Sequence, residues 1–354
     1  MNWTNRVIEA VGLQRPAKKP LVLLLAGLAC TQAEPPAGDR IQVESDALQE
    51  TREILIRLPD GYADGSRRYP VLFVLDAEWV FPFAAGAVDF LSGEVGARIP
   101  EMIVVGIPNT NREEYMTWIP DGSPAFEAFM DFLEGELVPL IDSRYRTYPH
   151  RAIYGWSSAS SVPIFMLLDR PDIFDAYIVS GSGVGPTGAR YAREALAGAD
   201  LSGKRLFAST EGTTPVRVEG LQRLVGVLEE TAPQGLTWEW RIMDGASHAS
   251  VLATGLYLGL ETVYSDWALP LDVGIAGPEA VRDYYTRLGS DYGFAPGIPE
   301  RPVAETAHGM LYGGHPETAL ELFEMNAAEH PESLTAQALL HEARQMVERG
   351  GAGP

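Results

Sequence analysis

Cysteine is almost absent. Cys30 stands alone in 354 residues, so no intrachain disulfide can form and no Cys/His zinc cluster can be assembled. Basic side chains are scarce too: 27 Lys and Arg against 48 Asp and Glu leave a formal charge of −21, which repels phosphate backbones and anionic headgroups. No basic stripe offsets that charge locally, so the sequence argues against nucleic acid as a partner and the acidity reads as a solvated surface. The apolar run Leu21–Ala29 is too short to span a bilayer as a helix.

That run is informative by its flanks. Lys18 and Lys19 precede it and small residues close it, the pattern of an export signal, so residues 1–33 are expected to direct the chain to the periplasm or outside the cell. Two processing routes stay open. One is lipid attachment at Cys30, the only membrane contact expected; the other is cleavage near Ala33, with Thr31 and Ala33 as the small residues. Gly27-Leu28-Ala29 fits a lipoprotein signal only loosely, and a buried N-terminal helix in a cytoplasmic protein is the competing reading.

What is abundant is alternation of element types. Residues 34–44 read as linker, led by Glu34-Pro-Pro-Ala-Gly. A strand-like run, Glu53–Pro59, closes on the turn signal Asp60-Gly61. Tyr69–Leu75 and Met102–Ile107 are nearly continuous apolar runs, as strands buried on both faces of a parallel sheet require, with a helical stretch around Ala84–Leu91 between them. Phe126, Phe129, Met130, Leu133 and Leu137 share one face of a helix over Ala125–Leu140. Further strands are expected at Ala152–Tyr154, Ala176–Val179, Arg205–Ser209 and Trp238–Met243. This is an α/β domain over residues 45–268, with its strand-to-helix turns along one edge, where open parallel sheets hold ligands. After the boundary at Leu269–Gly277 the pattern turns helical. Residues 278–350 form an appendage in which Glu317–Met325 and Leu334–Met346 resemble one helical-hairpin repeat, a unit that must dock elsewhere to bury its apolar face.

Chemistry concentrates at Ala152-Ile-Tyr-Gly-Trp-Ser-Ser-Ala-Ser160, a strand followed by Gly155-x-Ser157-x-Ala159 and an apolar helix from Val162 to Leu168. A hydroxyl is a weak nucleophile, and a tight turn with small neighbours lifts Ser157 clear of the sheet while aiming the Ser158 N–H at a developing oxyanion. The bland alternative, in which Ser158 or Ser160 merely caps the helix, is set against this by context: a candidate base lies downstream in the chain order such a site uses. That base is His248, just after the last strand. His150 precedes the serine, and His308, His315, His330 and His341 fall in the appendage. The acid belongs after the strand Arg205–Ser209, where Glu211 stands, with Glu219 in reserve and Asp244 too near His248 in sequence to reach its ring. The segment after Leu75 offers a second oxyanion donor at the backbone of Ala77 or Glu78, with Asp76 readable as a plain turn residue. Trp79, Arg112 and Trp156 are the substrate-binding candidates, followed by Phe81, Tyr115 and Trp118, though such residues more often pack than bind.

With these residues in view, the chain resembles the bacterial putative-esterase family of α/β-hydrolases, which includes enterochelin-esterase-like and S-formylglutathione-hydrolase-like enzymes. The resemblance rests on Tyr69–Asp76, Val104–Asn109, Tyr145-Arg-Thr147, Gly155-Trp-Ser157, Arg170–Asp175 and His248–Val251, within residues 45 to 267. Family members with a tetratricopeptide-like tail resemble the remainder. The resemblance implies an α/β-hydrolase fold, Ser157 as nucleophile, His248 as base and Glu211 as acid. It also implies crowding beside the oxyanion hole, because the family has glycines where Ala77, Ala159 and Ser160 stand. The expected reaction is hydrolysis of a small-molecule carboxylic ester without metal or cofactor. Short acyl, siderophore and hydroxycinnamoyl esters all stay open. Acyl transfer to an alcohol, or a binding or assembly role on a degenerate hydrolase scaffold, are the alternatives.

Overall fold

The computed structural model describes residues 39–63, 65–93, 96–118 and 123–348. The expectations for residues 1–33, including Cys30, lie outside the described residues. Among those described, no helix is long and apolar enough to cross a membrane.

An eight-stranded sheet runs in the order β1-β2-β4-β3-β5-β6-β7-β8. Its strands are β1 Asp39–Ser45, β2 Glu50–Arg57, β3 Tyr69–Leu75, β4 Ile103–Ile107, β5 Thr147–Trp156, β6 Ala176–Ser180, β7 Arg205–Glu211 and β8 Thr237–Met243. Pairings among β3 to β8 are parallel, while β1 pairs antiparallel with β2, and β2 with β4. Every residue of β3, β4 and β6 is buried, which is why these strands are apolar throughout. Leu72 and Val74 join the packed cluster on one face, Val71, Phe73 and Leu75 that on the other.

Two expectations are corrected. Residues 39–44, read as linker, are most of β1; Ile41 and Val43 alternate inward, a pattern masked by the Pro-Gly stretch just before it. The helix expected over Ala125–Leu140 forms as Pro124–Asp131, a π turn at Phe132–Leu137, and Val138–Arg144. Pro139 has no N–H to donate and its ring would strike the Gly135 carbonyl in an unbroken α-helix, and the wider turn absorbs both problems.

The C-terminal helices Pro278–Tyr292, Glu300–Tyr312, Pro316–Glu329 and Leu334–Glu348 extend the core on one sheet face, where Val281, Tyr285, Val303 and Phe323 join Leu72, Tyr154 and Phe207. The anchor is a polar–aromatic seam. Arg205 at the start of β7 donates to both carboxylate oxygens of Asp266 at 2.8 and 2.6 Å. Tyr284 donates to the Asp266 carbonyl at 2.6 Å, and Phe294 stacks on Tyr148 with centroids 4.3 Å apart. A cavity of about 720 Å³ lies along this junction, lined by Arg67, Tyr148, Trp267, Arg301 and His330, and includes none of the expected catalytic residues.

His150 is buried in the seam, its Nδ1 3.2 Å from the Tyr292 carbonyl. Burial pushes its pKa down to about 4, against a smaller opposing pull from Asp175 and with Arg205 and Lys204 adding to the depression. The native ring is therefore neutral, whereas the unfolded chain takes up a proton near pH 6.5. Stability is full above that value and declines as pH falls from about 6.5 to about 4. Urea unfolding at pH 7 and pH 4.5 is expected to show wild type losing about 2 kcal/mol more than His150→Phe between the two conditions. Equal losses in the two proteins would contradict this account.

Candidate active site

Ser157 stands at the end of β5 with φ of 60°, a left-handed conformation that is rare outside glycine. It opens a short 3-10 turn, Ser157–Ser160, which feeds the helix Ser161–Asp169. The turn is so tight that a Cβ on Gly155 would lie 2.5 Å from the Ala159 carbonyl oxygen, so only glycine fits there. Ser160 is not a helix cap by its side chain: its hydroxyl lies 3.0 Å from the Gly155 carbonyl and 2.9 Å from that of Ser180, stitching the turn to β5 and β6.

His248 approaches from the far side. It is the first residue of the helix His248–Val263, not part of a free loop as its sequence position suggests, and its entry is fixed by a capping box. Ser250 N–H donates to the Ser247 hydroxyl at 3.1 Å while Ser247 N–H donates to that of Ser250 at 2.8 Å. His248 Nε2 lies 2.9 Å from Ser157 Oγ, and its Nδ1 lies 3.2 Å from Glu211 Oε2. The ring is held between two surfaces. The Trp156 indole stacks on it with centroids 4.7 Å apart, and a Cβ on Gly181 would come within 2.8 Å of His248 Cε1.

Glu211 is the last residue of β7, two positions beyond the strand end read from sequence, and is paired in register with Met243 of β8. The loop to His248 leaves from Met243, so the pairing of the two strands brings acid and imidazole together. Glu211 is fully buried. Its Oε1 accepts from Arg217 Nη1 at 2.9 Å, and its Oε2 accepts from the Thr210 hydroxyl at 3.2 Å. Burial alone would raise its pKa; hydrogen bonds from its own backbone, Thr214 and His248 outweigh that and hold the carboxyl below its ordinary range. The reserve acid Glu219 is engaged with Arg223 at 2.8 Å on the surface.

The remaining expected residues divide. Ala77 begins the helix Ala77–Ser92, and its methyl faces the core: a Cβ added to Gly106 would lie 3.0 Å from it. Ala159 is fully buried. The crowding expected from these two alanines is corrected accordingly, since Gly106 vacates the space that the Ala77 methyl fills and Ala159 lies within the apolar cluster. Trp79 is half exposed and meets Trp156 edge-on at 6.2 Å. Phe81 is buried, Tyr115 stacks on Phe129 and Trp118 on Phe165, so these three pack. Arg112 reaches Ser158 Oγ at 2.6 Å but also pairs with buried Asp76. Sequence reasoning singled out neither Asp76 as a buried anion nor Gly181 and Arg217 as neighbours of the site. The only signals for them were a carboxylate, a glycine and an arginine near strand ends.

Residues 45–211 match the family described as "Putative esterase". An IroE-like serine hydrolase from Shewanella oneidensis has a similar structure, with a TM-score of 0.69 and 26% identity over 82% of this chain and 99% of that one. The siderophore hydrolase EstB from Aspergillus nidulans shares the fold at 18% identity and a TM-score of 0.54, over 72% of this chain and 99% of its own. An uncharacterized protein of Bacillus subtilis strain 168, YjcH, is 29% identical over 148 residues, which make up 38% of this chain and 57% of that relative's length. Sheet order, serine turn and these likenesses together show an α/β-hydrolase fold, similar over residues 45–211 to the putative esterases and in structure to an IroE-like serine hydrolase.

Proposed function

We propose that the chain hydrolyses small-molecule carboxylic esters through an acyl-enzyme on Ser157. The observation that carries this reading is the continuous chain Ser157 Oγ, His248 Nε2, His248 Nδ1 and Glu211 Oε2, with gaps of 2.9 and 3.2 Å across the ring. Ser157 Oγ attacks the ester carbonyl carbon while His248 Nε2 takes its proton. Glu211 accepts a hydrogen bond from Nδ1–H, which fixes the tautomer and offsets the imidazolium charge. The carbonyl oxygen, now anionic, is met by the backbone N–H groups of Ser158 and Ala77, each near the start of a helical turn whose first N–H groups lack intrahelical partners. The tetrahedral species collapses as His248 returns the proton to the leaving alcohol. Water then attacks the acyl-enzyme and gives its proton to His248, which passes it to Ser157 Oγ as the acid is released. Trp79 and Trp156, which meet edge-on next to Ser157, are the apolar surface this reading assigns to the acyl or alcohol group. The C-terminal helices supply none of the residues in this scheme. The reading of residues 1–33 as an export segment places the reaction outside the cytoplasm, and recovery of the protein solely from cytosol on fractionation would refute that part.

A fluorophosphonate probe should label wild type at Ser157 and leave folded Ser157→Ala unlabelled; labelling of both at one rate would overturn the assignment of the nucleophile. Glu211→Gln is expected to lower kcat by about 10²- to 10⁴-fold with KM little changed. Because Glu211 is held below the ordinary carboxylate range, it stays ionised in mild acid, and its orienting effect is lost only in stronger acid. The acid limb of log kcat/KM should therefore carry no step from Glu211 in mild acid, and a step there that Glu211→Gln removes would contradict this. Gly181→Ala should slow acylation about 10²-fold by displacing His248, whereas Gly185→Ala, whose Cβ meets nothing within 4 Å, should leave it unchanged.

A further inference from the structure

Two loops converge on the serine turn, and one ion pair joins them. Asp76, the residue between β3 and the helix Ala77–Ser92, has no solvent exposure and a left-handed backbone with φ of 53°. A carboxylate so buried must be matched in charge and in hydrogen bonds. Arg112, from the segment after β4, supplies both as a fork: Nε donates to Oδ1 and Nη2 to Oδ2, each at 2.8 Å. Asn109 Nδ2 also donates to Oδ1.

The rest of the guanidinium is directed at the nucleophile turn. Nη1 donates to the Ser158 hydroxyl at 2.6 Å and Nη2 to the Trp156 carbonyl at 3.2 Å. These are the residues immediately after and before Ser157. Of the five N–H groups of an arginine, four are thereby committed within the protein. Arg112 also sits over the Trp79 and Trp156 rings, at 5.7 and 5.9 Å from their centroids. Its own segment is pinned from below. Arg52, fully buried in β2, donates to the Pro108 carbonyl and to Thr110, and Asn109 N–H donates to Glu78 Oε2 at 3.2 Å.

We infer that Arg112 is a positioning residue, not a substrate ligand: with Asp76 it braces the serine turn against the segment that begins at Ala77. The brace grips the left-handed residue from both sides and holds the Ser158 and Ala77 N–H groups in fixed relation. Lysine cannot replace it. An ammonium keeps the charge against Asp76 but cannot form the fork and reach Ser158 and Trp156 together. This inference rests on the hydrolase reading above.

The test compares wild type, Arg112→Lys, Arg112→Met and Ser158→Ala. Its readouts are the rate of Ser157 phosphonylation by a neutral fluorophosphonate, the kcat and KM for a neutral and an anionic short-acyl aryl ester, and the melting temperature. Arg112→Lys is expected to fold, melt within a few degrees of wild type, and be phosphonylated about 10- to 100-fold more slowly. Its kcat should fall on both esters with KM within about twofold. Ser158→Ala should be slowed less, and combining it with Arg112→Met should add little to the loss from Arg112→Met alone, because both cut one contact. Should Arg112→Met fail to fold, pairing Ser158→Ala with Arg112→Lys carries the same comparison. If Arg112→Lys reacts as fast as wild type the brace is overturned, and if it loses only KM and only on the anionic ester the brace is overturned in favour of Arg112 as a substrate ligand. If folded wild type is itself not phosphonylated at Ser157, the hydrolase reading fails first, and the brace with it.

Discussion

The left-handed backbone of Ser157 is the constraint on which the site depends. An L-residue in that region costs of order 1–3 kcal/mol and persists only where its surroundings leave no relaxed alternative. Here they do so from several directions. Gly155 lets the turn close onto Ala159, and Ser160 ties it to the carbonyls ending β5 and β6. Arg112 holds the residues on either side of it, and His248 receives the hydroxyl. The strain is what lifts Ser157 off the sheet, so the chemistry and its stability cost have one origin.

The parallel sheet converts this local turn into a composite site. Strands β5, β7 and β8 run the same way, so the serine at the end of β5, the carboxylate at the end of β7 and the histidine beyond β8 reach one edge together although 91 residues separate serine from histidine. Two glycines relieve close approaches in that geometry. Gly181 gives the imidazole a flat seat, and Gly106 makes room for the Ala77 methyl so that the start of its helix packs close to β4. The C-terminal helices act at the other end of the strands, where His150, Tyr292 and Phe294 meet.

The parts of this arrangement legible in the sequence are those with local signatures. The apolar runs of β3 and β4 announced buried parallel strands, and Gly-x-Ser between a strand and a helix announced the turn. Chain order and the placing of the other histidines point to His248, and a position after a strand points to Glu211, although β7 continues through it. What stayed hidden depends on partners distant in sequence. Asp76 reads as a turn residue until Arg112, 36 positions later, is brought to it, and Arg112 reads as a ligand for substrate until its hydrogen bonds are followed. The bulk of Ala77 and Ala159 suggested crowding because a sequence gives a side chain's size without its direction. The π turn before Pro139 is hidden for a related reason: a helical hydrophobic pattern survives one widened turn.

The central claim is that Ser157 becomes acylated by an ester and that His248 serves it. The most direct measurement is acid quenching of the wild-type protein during turnover of a short-acyl aryl ester, followed by mass analysis of its peptides. The account predicts a single acyl group on the peptide containing Ser157, absent when His248 is replaced by Ala. Turnover of the ester with no acylated Ser157, or acylation of another residue at equal rate, would contradict it.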